Sequence, residues 1–344
     1  MSVIPNDKPF KLFPCCILVK GYTKSILYDL NRNSYWYIPH DLHNLIVQYE
    51  GKPLDFVYSE ARPEDKKTIA EYFRFLNNHE FILFADSIEE LGRFTKLDTS
   101  YFAPSHITNA IIQIDNEAKV DMKKVVEDLT ELGCRDVQLV FHSSQPLEKI
   151  GGVLNHFENS AFRSIELLIR YNNNNKRIKL SEMVDKFKRI SRLVIYCSPN
   201  SEVIKPPHFS MQEIISTNHS ITEELYSPIM NEGDFSVNMG LFCESQNFNT
   251  YLNRKIVIAP NGDIKNAPNS KAVYGNFNFE NLSDIVNKKE FQELWSCKKD
   301  LVEICKDCEY RHMCVDNRVP IKREGKWTHE TSCLYDVYSG KWKK

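Results

Sequence analysis

The feature that most constrains this fold is an alternation of strand and helix patterns between about residues 106 and 206. Four short apolar segments begin about 28 to 30 residues apart, namely Ile107–Ile114, Val137–Phe141, Ile165–Ile169 and Leu193–Tyr196. The three intervals between them carry apolar residues three and four apart, the spacing of one helix face. Strands that alternate with amphipathic helices predict parallel βαβ units with right-handed crossovers. The sequence therefore predicts an α/β fold whose middle section is a partial barrel or an open parallel sheet.

The first section, residues 1–99, carries a different pattern. Short apolar runs predict three antiparallel strands joined by tight turns, at Cys16–Val19, Ser25–Asp29 and Ser34–Ile38. Helical spacing then predicts two helices, the first stopped by Gly51 and the second beginning after Pro63. A further strand is predicted at Phe81–Phe84. We therefore expect a small winged-helix-like unit.

Composition and charge exclude several classes of protein. The chain has 344 residues, enough for two or three domains. A formal net charge of −2 provides no basic field for a nucleic-acid partner. No run of about 18 apolar residues is present to span a membrane. The N-terminus also lacks the charged-then-apolar order of a secretory signal. The expectation is a cytoplasmic protein whose cysteines are reduced or metal-bound.

The last four of the ten cysteines form a pattern that predicts a metal site. Two residues separate Cys305 from Cys308, five more precede Cys314, and eighteen lie between Cys314 and Cys333. The turn between Cys305 and Cys308 aims both sulfurs the same way, and the two later cysteines can close the coordination. Four thiolates suit either a 4Fe–4S cluster or a tetrahedral zinc ion. Four unliganded thiols are the alternative.

The remaining cysteines and the polar neighbours of the site have less specific patterns. Apolar surroundings predict burial for Cys15, Cys16, Cys134 and Cys197, whereas Cys243 and Cys297 stay undecided. His312 could replace a cysteine as ligand, but a hydrogen bond to sulfur or exposure to solvent is favoured. Asp316, Asn317 and Arg318 either orient thiolates or a substrate, or form a solvated loop.

A predicted hairpin and the cysteine pattern together carry a family resemblance. The hairpin strands are Lys255–Ala259 and Asp263–Asn266, with Pro260-Asn261-Gly262 as the turn. This hairpin, Cys305-x2-Cys308-x5-Cys314 and the late Cys333 resemble the SPASM region of peptide-modifying radical-SAM proteins. The segments 308–318, 10–39 and 107–110 resemble the branch found beside ATP-grasp ligases in graspetide-type gene clusters. Over nearly its whole length, the chain is similar to the SPASM-domain peptide maturases of grasp-with-spasm systems.

The resemblance implies one iron–sulfur cluster rather than two. A full SPASM region holds two clusters, and the one nearer the C-terminus would take Cys305, Cys308, Cys314 and Cys333. The other cluster expects cysteines where this chain has Ala267 and Arg318. Neither residue supplies a thiolate, so Cys243 is a lone remnant of the second site.

The radical-SAM motif is missing from the sequence. Radical-SAM enzymes place a Cys-x3-Cys-x2-Cys loop after the first barrel strand, where three thiolates leave one iron open to chelate SAM. Here the strand Ile107–Asp115 is followed by 116–120 without a cysteine, and no such triad occurs in the chain. SAM is therefore not expected as a cofactor. The middle section is expected to be a degenerate radical-SAM-like domain.

The resemblance divides the chain into three domains with separate roles. Residues 1–99 would fold alone and bind the leader of a precursor peptide as an added strand, between Ser34–Ile38 and the helix containing Ile69–Leu76. Residues 100–235 would form the degenerate βα domain, and residues 236–344 the SPASM iron–sulfur domain.

The leading functional hypothesis is peptide maturation in the biosynthesis of a ribosomally made peptide, with a partner ATP-grasp ligase that links side chains. One alternative is a redox maturase that transfers electrons through its single cluster. The other is a zinc-stabilised interaction protein without catalysis. The sequence singles out no catalytic residue, and it does not identify the precursor peptide.

Overall fold

A computed structural model describes residues 4–116, 120–204, 212–220, 229 and 231–343. Residues 117–119 of the loop after the first predicted barrel strand lie outside these ranges, as does Pro206, where the predicted strand–helix alternation ends. The described part is a mixed α/β structure with a large parallel sheet, as the strand–helix alternation predicts. None of its helices is long and apolar enough to cross a membrane.

The first section combines two small antiparallel sheets with four helices in its described part. The strands are β1 (Phe10–Leu12), β2 (Cys16–Lys20), β3 (Ser25–Asp29), β4 (Ser34–Ile38) and β5 (Ile82–Phe84). The helices are α1 (His40–Tyr49), α2 (Leu54–Glu60), α3 (Lys66–Asn78) and α4 (Ile88–Gly92). Strands β2, β3 and β4 form the predicted antiparallel sheet, and β5 pairs with β1. Sequence reasoning missed β1, α2 and α4 because each is too short to show a period.

The β2–β3–β4 sheet is covered on both faces. Every residue of β3 is buried. Leu27 packs with side chains from α1, α2 and α3, whereas Ile26 and Tyr28 pack with Tyr310 and Tyr335 from the cysteine-rich section. Successive side chains of a strand point to opposite faces, so β3 serves two cores at once. The first section therefore shares a core with the C-terminal part of the chain.

A nine-stranded sheet lies at the centre of the described fold. In spatial order its strands are β10 (Glu202–Ile204), β11 (Glu213–Ser216), β9 (Ile190–Tyr196), β8 (Ser164–Arg170), β7 (Asp136–Phe141), β6 (Asn109–Ile114), β12 (Lys255–Ile258), β13 (Asp263–Lys265) and β14 (Gly275–Asn276). The strands from β11 to β12 run parallel, and those beyond them at each edge are antiparallel. The strand order has two ends, which corresponds to the open-sheet form of the prediction.

Three helices connect the central parallel strands and cover one face of the sheet. They are α5 (Met122–Glu131), α6 (Leu147–Asn155) and α7 (Arg177–Lys186). Their apolar faces pack on the sheet and form the main core, in which Leu129, Leu154 and Val184 are buried against strand residues such as Leu139 and Leu167. The helical stripes predicted from apolar spacing are therefore confirmed as the core-facing sides of these helices.

The predicted hairpin is present as β12 and β13, with Ile258 opposite Ile264. Gly262 in its turn has a φ of +89°, a conformation that glycine adopts without strain. Strand β12 also pairs in parallel with β6, so that Lys255 lies opposite Asn109. Residues from the third section thus extend the central sheet, which local sequence patterns could not show.

The remainder of the C-terminal section contains short elements. These are α8 (Met239–Ser245), α9 (Leu282–Val286), α10 (Lys289–Gln292), β15 (Pro320–Arg323), β16 (Lys326–His329), β17 (Tyr335–Asp336) and β18 (Lys341–Trp342). Strands β15 and β16 form one hairpin, and β17 and β18 form another. Little regular structure surrounds the cysteines, in a section whose sequence after Cys305 has little apolar periodicity.

Candidate metal centre

A tight turn positions the first two cysteines of the predicted set. Cys305 opens a 3₁₀ turn, and the Cys308 N–H donates to the Cys305 carbonyl at 3.0 Å. Ile304, just before the turn, has a φ of +70°, which is rare and strained for a β-branched residue. The strained backbone directs the chain so that the short Cys-x2-Cys spacing closes into one turn.

All four predicted ligands line a single cavity of about 490 Å³. Cys305 and Cys308 approach from the 3₁₀ turn, Cys314 from the following loop, and Cys333 from the loop between β16 and β17. The wall of the cavity continues over aromatic side chains, among them Phe235, Tyr310, Tyr335 and Trp342. The fold therefore brings the sequence-predicted cysteines together on a shared, partly apolar space.

The distances between the cysteine sulfurs help to distinguish a single zinc ion from an iron–sulfur cluster in this cavity. A zinc ion with bonds of about 2.3 Å to sulfur would hold its thiolates about 3.8 Å apart. Within the described residues, the one trio of metal-ligating side chains whose ligand atoms all lie within 4.8 Å of one another is Cys15, Cys16 and Asp29. No trio of the cavity cysteines is that compact. A cluster separates its cysteine sulfurs more widely than one ion does, because several irons stand between them.

A buried network of charges lies beside the cavity. Lys299 Nζ is 3.1 Å from Asp316 Oδ2, and the Arg318 guanidinium contacts the same carboxylate at 2.6 Å. Lys299 and Asp316 are 3% and 4% exposed. Although burial opposes its ionisation, Lys299 and Arg318 hold the pKa of Asp316 well below its usual range. Two cations and one carboxylate leave one net positive charge next to the cysteines.

In the absence of a bound group, burial disfavours the thiolate form of Cys305, Cys308 and Cys314 by raising their pKa values. Burial raises the pKa of Cys314 to about 12, against the opposing effect of Lys299. Burial also raises the pKa of Cys305, again with Lys299 opposing it. A coordinated metal keeps such thiols deprotonated. Lys299 and a bound metal would therefore both favour the thiolate form of these cysteines.

The polar residues after Cys314 are part of this network. Asp316 and Asn317 are buried, so the solvated-loop interpretation of this segment is wrong. Arg318 lines the cavity together with the cysteines. A guanidinium therefore lies against the cavity that the four cysteines share.

His312 does not contact the cavity. Its Nδ1 lies 3.0 Å from Ser245 Oγ and 3.3 Å from Gln246 Nε2, both on or next to α8. Burial lowers the pKa of His312 to about 4, so the ring is neutral at pH 7. The favoured interpretation, a hydrogen bond to sulfur or exposure to solvent, is therefore wrong. The histidine contacts Ser245 and Gln246 instead and links the cysteine loop to α8.

The other cysteines lie away from the cavity. Cys16 and Cys134 are buried as predicted, whereas Cys15 and Cys197 are half-buried. The two undecided cysteines, Cys243 on α8 and Cys297 before the 3₁₀ turns, are both buried and do not line the cavity. Cys243 is therefore not a fifth thiol of this site.

Sequence reasoning missed His329. It ends β16, four residues before Cys333, and its side chain is 5% exposed in the wall of the cysteine cavity. Neither ring nitrogen has a hydrogen-bond partner within the described residues. The sequence shows that His329 precedes Cys333 by four residues. That spacing indicates a shared site only once the β15–β16 hairpin places the ring in the wall of the cavity.

The predicted peptide-binding walls also come together. Strand β4 is an outer strand of its sheet, so its free edge has no strand partner in the part of the chain that the structure describes. Trp36 on β4 packs against Phe75 and His79 at the end of α3, with ring centroids 5.9 and 4.3 Å apart. Trp36 remains 40% exposed. An open strand edge and an aromatic surface thus lie side by side.

Tyr37, next to Trp36 on β4, contacts the cysteine-rich section. Its hydroxyl lies 2.6 Å from that of Tyr310, and Lys24 Nζ lies 3.9 Å from the centre of its ring. Tyr310 follows Cys308 by two residues and lines the cavity. Tyr37 therefore joins β4 to the cysteine-rich section and points away from the surface formed by Trp36.

Comparisons with known proteins give a loose structural similarity. No protein-family model matches the chain, and no curated protein matches it in sequence. A crystal structure of Streptococcus suis SuiB bound to S-adenosylmethionine matches with 9% identity and a TM-score of 0.32, over 89% of this chain and 94% of that one. SuiB bound to its precursor peptide SuiA matches with 10% identity and a TM-score of 0.33, over the same shares of the two chains.

Proposed function

We propose that this protein takes part in the maturation of a ribosomally made peptide, holding one 4Fe–4S cluster and binding the precursor peptide. Cys305, Cys308, Cys314 and Cys333 would be the cluster ligands. The observation that carries the proposal is the convergence of these cysteines on one cavity, beside a net positive charge. A bound cluster would supply one-electron redox capacity and would also crosslink the C-terminal section.

Two features of the cavity favour a cluster over a zinc ion. No three of its cysteine sulfurs lie within 4.8 Å of one another, whereas three thiolates on one zinc ion would. A 4Fe–4S cluster with four thiolates is also strongly anionic, and Lys299 and Arg318 offer it buried cationic partners whose charge Asp316 only half cancels.

The site for the precursor peptide would be the free edge of β4. An extended peptide satisfies the open backbone groups of an edge strand and places alternate side chains in neighbouring pockets. The exposed ring of Trp36, backed by Phe75 and His79, provides an apolar contact for one of these side chains. The partner ATP-grasp ligase is proposed from the family resemblance of the cysteine segment.

Metal content tests the cluster directly. Protein purified without oxygen should be brown, with about four irons and four sulfides per chain. A colourless protein that carries one zinc ion would replace this proposal with the zinc-stabilised interaction protein.

Leader binding is tested on the full chain with a fluorescent leader peptide from a precursor encoded beside the protein. Trp36→Glu should weaken binding at least about tenfold, since it places a charge on the apolar surface without removing a cluster ligand. Val47→Glu is the matched control, because Val47 lies on α1 and is already 66% exposed. Equal affinities for both variants would exclude the β4 edge as the leader site.

Participation in maturation is tested by co-expressing the precursor and the ligase with and without this protein. Loss of water from the peptide, read by mass spectrometry, should depend on the protein's presence. Equal modification in its absence would remove the maturation role even if the cluster is real.

A further inference from the structure

Two side chains that line the cysteine cavity, His329 and Trp342, have buried polar atoms without a hydrogen-bond partner in the described residues, and in His329 both ring nitrogens lack one. The His329 ring is buried, with 5% of the side chain exposed, and it lines the same cavity as the four cysteines. Neither nitrogen makes a hydrogen bond within the described residues. Buried polar groups are nearly always satisfied, so an orphaned imidazole indicates a partner that the protein itself does not supply.

The nearest carboxylate is not that partner. His329 Nε2 is 3.7 Å from Asp316 Oδ2, beyond hydrogen-bond distance. Asp316 is already shared by Lys299 at 3.1 Å and by Arg318 at 2.6 Å. Burial and these two cations lower the pKa of His329 to about 3, against smaller opposing effects of Asp316 and of the Val319 backbone, which lies near the ring without meeting hydrogen-bond geometry. The ring is therefore neutral, with one N–H donor and one acceptor nitrogen.

The hairpin that carries His329 fixes where the ring can reach. Strands β15 and β16 pair along their length, with His329 opposite Pro320. The chain then passes through residues 330–332 to Cys333, which lines the same cavity. His329 is thus held on a paired strand just before one of the proposed ligands, and its short side chain has little freedom to turn elsewhere.

We infer that His329 donates its ring N–H to a sulfur of the cysteine-bound cluster and thereby raises the cluster's reduction potential. Adding one electron makes the cluster more negative, and a donor to sulfur stabilises that state more than the oxidised one. The inference rests on the proposed cluster. With this hydrogen bond, the cluster would accept an electron more readily and would serve as more than a structural crosslink.

The experiment compares His329→Leu and His329→Gln in the full, cluster-loaded chain. Leu removes the donor while filling similar space, whereas Gln keeps an N–H donor on a side chain of similar reach. At an ambient potential that half-reduces the wild type, the ratio of reduced to oxidised cluster should fall about tenfold in His329→Leu. The same ratio should stay within about threefold of wild type in His329→Gln.

Controls separate this inference from the proposed function. His312→Gln alters the other buried histidine of this region, which contacts α8 and not the cavity, and should leave the ratio unchanged. Iron content and circular dichroism are measured on every variant. A loaded, folded His329→Leu protein with the wild-type potential would refute the His329 contact alone. Loss of iron from both folded His329 variants would refute it too, since the ring would then be a ligand. A wild-type protein that binds no iron would refute the proposed cluster and this inference with it.

Discussion

Separating the first 99 residues from the rest of the chain would expose one whole face of the β2–β3–β4 sheet. In the full protein, Val19, Ile26 and Leu30 are at most 3% exposed, and Tyr28 beside them is 1% exposed. All four pack into a core that includes Tyr310 from the cysteine-rich section. We therefore predict that a fragment ending at Thr99 will not form a stable fold, contrary to the expectation from sequence.

The magnitude follows from the area lost. Full burial of one Val, Leu or Ile side chain is worth about 1.5–3 kcal/mol, so the three aliphatic side chains account for about 5–9 kcal/mol. This is an upper estimate, because an unfolded chain already buries part of its apolar surface. Tyr28 also loses the hydrogen bond that its hydroxyl donates to the Glu309 carbonyl at 3.1 Å. A domain of about 100 residues has a total stability of about 5–15 kcal/mol, so the loss is comparable with the whole.

The assay is thermal unfolding by circular dichroism, together with an amide NMR spectrum of the same fragment. The fragment should show no cooperative transition and poor dispersion of its amide signals, whereas the full chain should melt cooperatively. A fragment with dispersed signals and a melting temperature within a few degrees of the full protein would refute the reasoning. Leader affinity is therefore best measured on the full chain.

Four further predictions follow from the described contacts. Cys308→Ala should abolish the iron content measured on anaerobically purified protein, whereas Cys243→Ser should leave it near wild type, because Cys243 lies outside the cavity. Asp316→Ala should reduce the free energy of unfolding in urea by about 3–5 kcal/mol, since it leaves the buried Lys299 and the half-buried Arg318 without their carboxylate, while Asp136→Ala in an exposed pair should cost less than about 1 kcal/mol. Burial lowers the pKa of Lys255 from 10.5 to about 7, so the unfolded chain binds more protons between these values. Stability relative to Lys255→Met should therefore rise as the pH increases from about 7 to about 10, and a flat difference would contradict it. Reduced protein incubated with SAM should release no 5′-deoxyadenosine above a protein-free control by liquid chromatography.

Parts of the candidate site were predictable because they depend on local spacing. The Cys305–Cys308 turn and the loop to Cys314 required only the order of residues along the chain. The partners of the cysteines were not predictable in the same way. Lys299 meets Asp316 across seventeen positions, and the aromatic contact between Tyr37 and Tyr310 spans 273. No sequence period encodes such contacts, because they arise when separate elements pack.

The period of apolar residues was enough to predict the longer strands and helices, because it sets which face of each element can be buried. The sequence by itself also determined that thiols cluster near the C-terminus. Three features became visible only in the folded chain: β12 extends the central sheet, the cysteine-rich section closes one face of the first sheet, and His329 and Arg318 join the cysteines at one cavity. The reason is physical: apolar surface and buried charge lower the free energy only when a partner covers them, and that partner can lie anywhere along the chain.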